Sequence, residues 1–226
     1  MPAKNSIKQY AENSYYHIYN RGVEKRLTFL DQQDYLVFLS YLKDYLLPKD
    51  EKNLYEKLAD PNIGYKEKDK ILKLLRLNNF SDEITLLAYC LMPNHFHFFI
   101  KQRSSKSIKV FMQSLMTRYS MYFNRKYQRV GTLFQAVYKA ALVTHDGQFV
   151  YLSKYIHKQA LASQGETLQE QPSSYPDYLG FRKTDWIHPE EVLGYFSKNH
   201  SKNSYKHFVE ETEDDFTILM DVFIGD

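Results

Sequence analysis

The sequence predicts an α+β protein: a ferredoxin-like split β-α-β antiparallel sheet with an extra C-terminal helix, a helical insertion and a C-terminal extension. Three observations lead there. Short β-rich apolar stretches occur at 15–20, 84–92, 95–101 and 138–144. Apolar residues recur at helical spacing from Asp31 to Pro48, from Ser107 to Tyr127 and from Asp146 to about Ala162. Their order is strand, helix, strand, strand, helix, strand, helix, which is the split arrangement plus one helix.

Each element has local support. Tyr15 to Asn20 alternates as a strand does and stops at Asn20-Arg21-Gly22, a turn signal. Asp31 opens a helix carrying Tyr35, Phe38, Leu39 and Leu42, which Pro48 closes. From Lys49 to Ser81 the chain is strongly charged, broken by Pro61-Asn-Ile-Gly64 and followed by a leucine-rich amphipathic piece. This is the expected helical insertion. Pro93-Asn94 is turn chemistry between two apolar runs, so those runs form a hairpin. Ile108, Phe111, Met112, Leu115, Tyr119, Tyr122 and Phe123 then make a helical stripe, and Asp146 is the expected cap of the last core helix. The predicted division is 1–163 for the core domain, with its insertion at about 49–81, and 164–226 for the extension.

With 226 residues and 43% apolar content, the chain can fill a real core. Its net charge of +3 and pI of 8.6 permit an acidic partner without requiring one. A single cysteine, Cys90, excludes an intramolecular disulfide framework and fits a reducing compartment. The N-terminal segment lacks a hydrophobic signal region, and no apolar run approaches bilayer length. The expectation is a soluble, cytoplasmic protein with no membrane partner.

Chemistry enters at Leu91-Met-Pro-Asn-His95-Phe-His97-Phe-Phe-Ile100. Side chains one residue apart share a strand face, so His95 and His97 converge while Phe96 and Phe98 point away. Eight histidines make some His-x-His pair a chance event at roughly 0.3. A solvated face with two titratable groups therefore competes evenly with metal binding. On the last helix, Tyr151, Tyr155 and Gln159 stack at i, i+4 and i+8. Two imidazoles and an amide could hold a divalent cation beside a phenol nucleophile. With 20 tyrosines in the chain, however, a boundary aromatic is the commoner use of any one of them, and periodicity does not choose Tyr155 over Tyr151.

Tyr16-His-Ile-Tyr-Asn-Arg-Gly22, Leu91-Met-Pro-Asn-His-Phe-His97, Gly131-Thr-Leu-Phe-Gln135 and Lys154-Tyr-Ile-His157, in that order, resemble the single-tyrosine HUH transposases, most closely the REP-associated tyrosine transposases. The resemblance covers about Tyr15 to Leu161. It implies that His95, His97 and Gln159 bind a divalent metal ion, magnesium or manganese, and that Tyr155 is the catalytic nucleophile. Single-stranded DNA, in particular DNA bearing a hairpin, would be nicked and rejoined through a 5′-phosphotyrosine intermediate. His17 and His157 are candidate helpers of the phenol. Lys158-Gln159-Ala160 stands where REP-associated members carry Leu-Asn-Pro, and Gln159 resembles the simpler insertion-sequence members instead. Ser173 to Gly180 with Trp186 resembles the extension of larger members.

Basic residues Arg21, Lys25, Arg118, Arg125, Lys126 and Arg129 are the expected DNA contacts, with solvated helix ends the plain alternative for each. The acidic run Glu210 to Asp215 reads as a solvated terminus. Family members include dimers and monomers, so a homodimer is among the expected assemblies. Two other readings compete: a domesticated DNA-binding module of the same fold without cleavage, and a metal-dependent hydrolase, which would need carboxylate ligands.

Overall fold

The computed structural model describes residues 10–135, 137–162, 171–197, 200–213 and 216–219. Four strands, β1 (Ser14–Arg21), β2 (Ile84–Met92), β3 (His95–Gln102) and β4 (Lys139–Leu142), form one antiparallel sheet in the order β2-β3-β1-β4. This is the predicted split topology. The eight helices named here among the described residues are α1 (Gln32–Leu46), α2 (Glu51–Ala59), α3 (Tyr65–Arg76), α4 (Ser107–Lys126), α5 (Asp146–Ala162), α6 (Tyr175–Tyr178), α7 (Glu190–Leu193) and α8 (Tyr205–Glu210). None is long and apolar enough to cross a membrane.

Strand alternation sorts two cores. Tyr16 and Ile18 of β1 and Phe96, Phe98 and Ile100 of β3 bury against α1 and α4, through Phe38, Leu42, Phe111, Met112, Leu115 and Tyr119. The opposite face carries Phe99, Ala88, Cys90 and Ala141, covered by Phe149, Leu152, Ile156 and Ala160 of α5. Asp31 caps α1 as expected, and a reciprocal bond between Asp31 and Asp34 completes a capping box. Buried Asp34 then accepts from Lys126 Nζ at 2.8 Å, Tyr122 at 3.0 Å and Tyr127 at 2.8 Å, joining α1 to the end of α4. In the insertion, α2 and α3 bury only Ile71 fully, and Lys49 Nζ donates to the carbonyls of Leu75 and Leu77 at the C-terminus of α3.

One expectation changes and another gains a detail. The cap of α5 is His145 and not Asp146: His145 Nδ1 accepts from Gln148 N at 3.2 Å, while Gln148 Oε1 accepts from Thr144 N at 2.8 Å. A ring nitrogen with a lone pair does what a carboxylate does at this position. The described acidic residues Glu210, Glu211 and Glu213 are exposed, as expected, but the run is also anchored. Wholly buried Lys154 donates to Thr212 O, Thr212 Oγ1 and Glu213 O at 2.8–3.0 Å, and Tyr175 donates to Glu210. A buried ammonium needs such acceptors, and Thr212 and Glu213 supply them. Asp214 and Asp215, and the predicted boundary at 163/164, lie outside the described residues.

The extension packs on both the sheet and α5. Ser174 N donates to Tyr89 O, Pro172 O accepts from Leu91 N, and His188 N donates to Leu86 O, so the outer edge of β2 is hydrogen-bonded along its length. Tyr175, Tyr178, Val192, Tyr205 and Val209 join the α5 core. At its centre His157, wholly buried, bonds Tyr205 Oη at 2.6 Å and Ser174 Oγ at 2.8 Å.

Burial pushes His157 down to about 3. The unfolded chain protonates this ring near about 6.5. Between these values the unfolded state holds the extra proton, so His157 favours folding above about 6.5 and that contribution is lost as pH falls. Urea unfolding between pH 6 and pH 4.5 should show His157→Gln with a stability slope shallower by one proton, about 1.4 kcal/mol per pH unit. An unchanged slope would refute the assignment.

Candidate functional site

Tyr15, His17, Tyr19 and Arg21 of β1 alternate onto the α5 face, beside His95 and His97 of β3. The register sets Tyr19 opposite His97 and Arg21 opposite His95. His17 Nε2 lies 2.9 Å from His97 Nδ1, and the two rings stack at 5.1 Å with 15° between planes. His95 and His97 stand edge to face at 5.0 Å, and Asn94 Oδ1 is 2.6 Å from His95 Nδ1. Tyr155 reaches in from α5, half-buried, its ring edge-on to His97 at 5.4 Å and to His17 at 6.0 Å. Gln159, also half-buried, is one turn further along α5.

The geometry separates the two tyrosines that spacing left equal. Tyr151 packs edge-on against Phe208 of α8 at 5.2 Å, and Tyr155 faces the histidines. The candidate helpers separate too. His17 touches His97, while His157 is occupied by Tyr205 and Ser174 on another side of the helix. Burial, reinforced by the charges of His17, His95 and Arg21, holds His97 well below the usual imidazole value. It is therefore a neutral imidazole, the form that ligates a cation. Among the described residues no three His, Cys, Asp or Glu side chains gather as a metal cluster.

Three chain segments frame this end of the sheet. Pro93 O accepts from Thr28 N and Phe29 N, Asn94 O from Gly22 N, Leu133 O from Val23 N and Arg21 O from Gln135 N. Proline fixes φ at the first turn position, and Asn94 is not among the residues of positive φ. The hairpin thus lacks the left-handed turn that suits strand twist, and the bonds from the 22–29 loop hold it instead. The four motifs of the sequence resemblance meet here or on α5.

Of the expected DNA contacts, Arg21 stands at the site, half-buried, and Lys25 is exposed in the adjoining turn with φ of 60°. Arg125 is exposed at the end of α4, and Arg129 donates to Asn124. The other two are engaged elsewhere. Arg118 pairs with Asp44 at 2.8 Å and lies on the Tyr41 ring at 3.7 Å, and Lys126 pairs with Asp31 and Asp34, both on the sheet face away from the histidines. Sequence reasoning missed Tyr19, stacked on His17 at 4.7 Å, and Lys139, whose ammonium lies 5.3 Å from the Tyr19 ring. Strand alternation signals Tyr19, but Lys139 depends on the pairing of β4 with β1.

Residues 61–159 match the family model described as transposase, IS200 like. The matched span runs through the hairpin to α5 and contains His95, His97, Tyr155 and Gln159. Among solved structures the chain is similar to a REP-associated tyrosine transposase bound to a REP hairpin, with TM-score 0.48 and 11% identity over 82% of this chain and 92% of that one. No curated protein matches the sequence.

One glycine ties the frame together. A Cβ on Gly22 would meet Arg26 O at 2.2 Å and Thr28 Cγ2 at 2.9 Å. Gly22→Ala should therefore cost about 1–3 kcal/mol in urea unfolding, because the clashing atom is backbone. Wild-type stability would show that the turn yields.

Proposed function

With the IS200-like transposases as its relatives, we propose that this chain nicks and rejoins single-stranded DNA, hairpin-bearing DNA in particular, with Tyr155 as nucleophile. The observation that carries the reading is the Tyr155 ring edge-on to His97 at 5.4 Å, with His95 at 5.0 Å beyond it.

The donor set suits a divalent cation, magnesium or manganese. Each imidazole has its Nδ1 engaged, His97 is kept neutral by burial, and the helix offers the amide of Gln159. His95, His97 and Gln159 would hold it. When bound, the cation supplies Lewis-acid polarisation of the scissile phosphate. Tyr155 Oη forms the bond to phosphorus, the P–O3′ bond breaks, and the phenolic proton ends on the 3′ oxygen. The 5′-phosphotyrosine keeps the phosphodiester energy, and attack by a 3′-hydroxyl reverses the step. Arg21, Lys25, Arg125 and Arg129 track phosphates. Arg118 and Lys126, paired with carboxylates, have a smaller part.

The competing reading, a DNA-binding module without cleavage, separates from this one in a single assay. Incubation with a hairpin-bearing single strand and manganese should yield a covalent adduct, which mass spectrometry places on Tyr155. Tyr155→Phe and His97→Ala should reduce the adduct to background, while Tyr151→Phe keeps it. DNA binding without any adduct would establish the module instead.

Binding should also weaken with salt. Arg21→Ala is expected to lower the magnitude of the slope of log K against log salt for single strands by about 0.7, the value for one lost phosphate contact. A slope identical to wild type would remove Arg21 from the interface.

A further inference from the structure

His17 sits near the middle of β1, wholly buried, opposite Ala141 of β4. Its ring lies in a cluster of three, 4.7 Å from Tyr19 and 5.1 Å from His97, with those two rings 5.7 Å apart. Two ring nitrogens 2.9 Å apart share one proton, and chemistry decides whose it is. At His95 the partner of Nδ1 is the Asn94 carboxamide oxygen, which only accepts, so His95 carries its proton on Nδ1 and its lone pair on Nε2. If His97 is to present a lone pair in the same sense, its Nδ1 must be the donor and His17 Nε2 the acceptor.

We propose that His17 is a positioning residue: by accepting from His97 Nδ1–H it fixes the tautomer and ring orientation in which His97 offers Nε2 to a divalent cation, as Asn94 does for His95. This rests on the reading of His95 and His97 as cation ligands. It assigns His17 a different part from that of base to Tyr155. The Nε2 of His17 is engaged with His97 Nδ1, and its role acts through that bond. Mutating an outer partner of this kind typically costs about 10–100-fold in metal affinity.

The experiment compares manganese binding by calorimetry in the full-length protein and its His17→Leu, His17→Gln and His97→Ala variants, with the histidine tautomers read in the metal-free protein by long-range proton–nitrogen NMR. Leucine cannot accept, whereas the glutamine carboxamide oxygen can reach the position of Nε2. The expected result is manganese affinity about 10–100-fold weaker in His17→Leu, substantially restored in His17→Gln, with His97 as the Nδ1–H tautomer in the wild type. An Nε2–H tautomer for His97 overturns the proposal, and this readout needs no variant to fold. Unchanged affinity in His17→Leu, with loss in His97→Ala, overturns the role of His17 alone. Undiminished binding in His97→Ala overturns the cation site itself, and His17's role with it.

Discussion

The pairing of β1 with β3, which sets Arg21 against His95 and Tyr19 against His97, is the constraint on which the remaining arrangement rests. Because side chains alternate, a slip of one residue would turn His95 and His97 into the aromatic core and expel Phe96, Phe98 and Ile100, all wholly buried. Burial of three such side chains contributes roughly 5–9 kcal/mol, comparable to the whole stability of a domain. The apolar face of the hairpin thus holds the polar face in place. The histidines need no stabilising role of their own, and they are placed by phenylalanines whose side chains point to the opposite face.

The same economy appears on α5. One side presents Leu152, Ile156 and Ala160 to the apolar cluster that the sheet and extension share, and Tyr155 faces the histidines from that helix. Its remaining sides belong to the extension: Tyr151 meets Phe208, Lys154 meets the carbonyls of Thr212 and Glu213, and His157 meets Ser174 and Tyr205. A helix held on opposite sides has little freedom to rotate or slide, so the phenol is delivered at a fixed height above the sheet.

What the sequence made legible was what local spacing encodes. Alternation placed His95 and His97 on one face, i, i+4 placed Tyr155 with Gln159, and the order of elements predicted the sheet. Contacts between distant segments were not legible. His17 and His97 are 80 positions apart, Arg118 and Asp44 are 74 apart, and nothing in the basic run of α4 announces that carboxylates of α1 neutralise two of its cations. The cap of α5 was missed because histidine seldom serves there, and the anchoring of Thr212 and Glu213 because two of its three contacts are made by backbone carbonyls, which every sequence has.

The bonds from the extension to β2 have a consequence for assembly. A sheet of four strands has two rims, and an open rim is a template on which another chain can continue the ladder. Pro172, Ser174 and His188 occupy the rim at β2, so sheet continuation there would first require peeling the strap away from Leu86, Tyr89 and Leu91. The strap that steadies α5 therefore also acts as a kerb: it ends the sheet on one side and steers any second copy toward other surfaces.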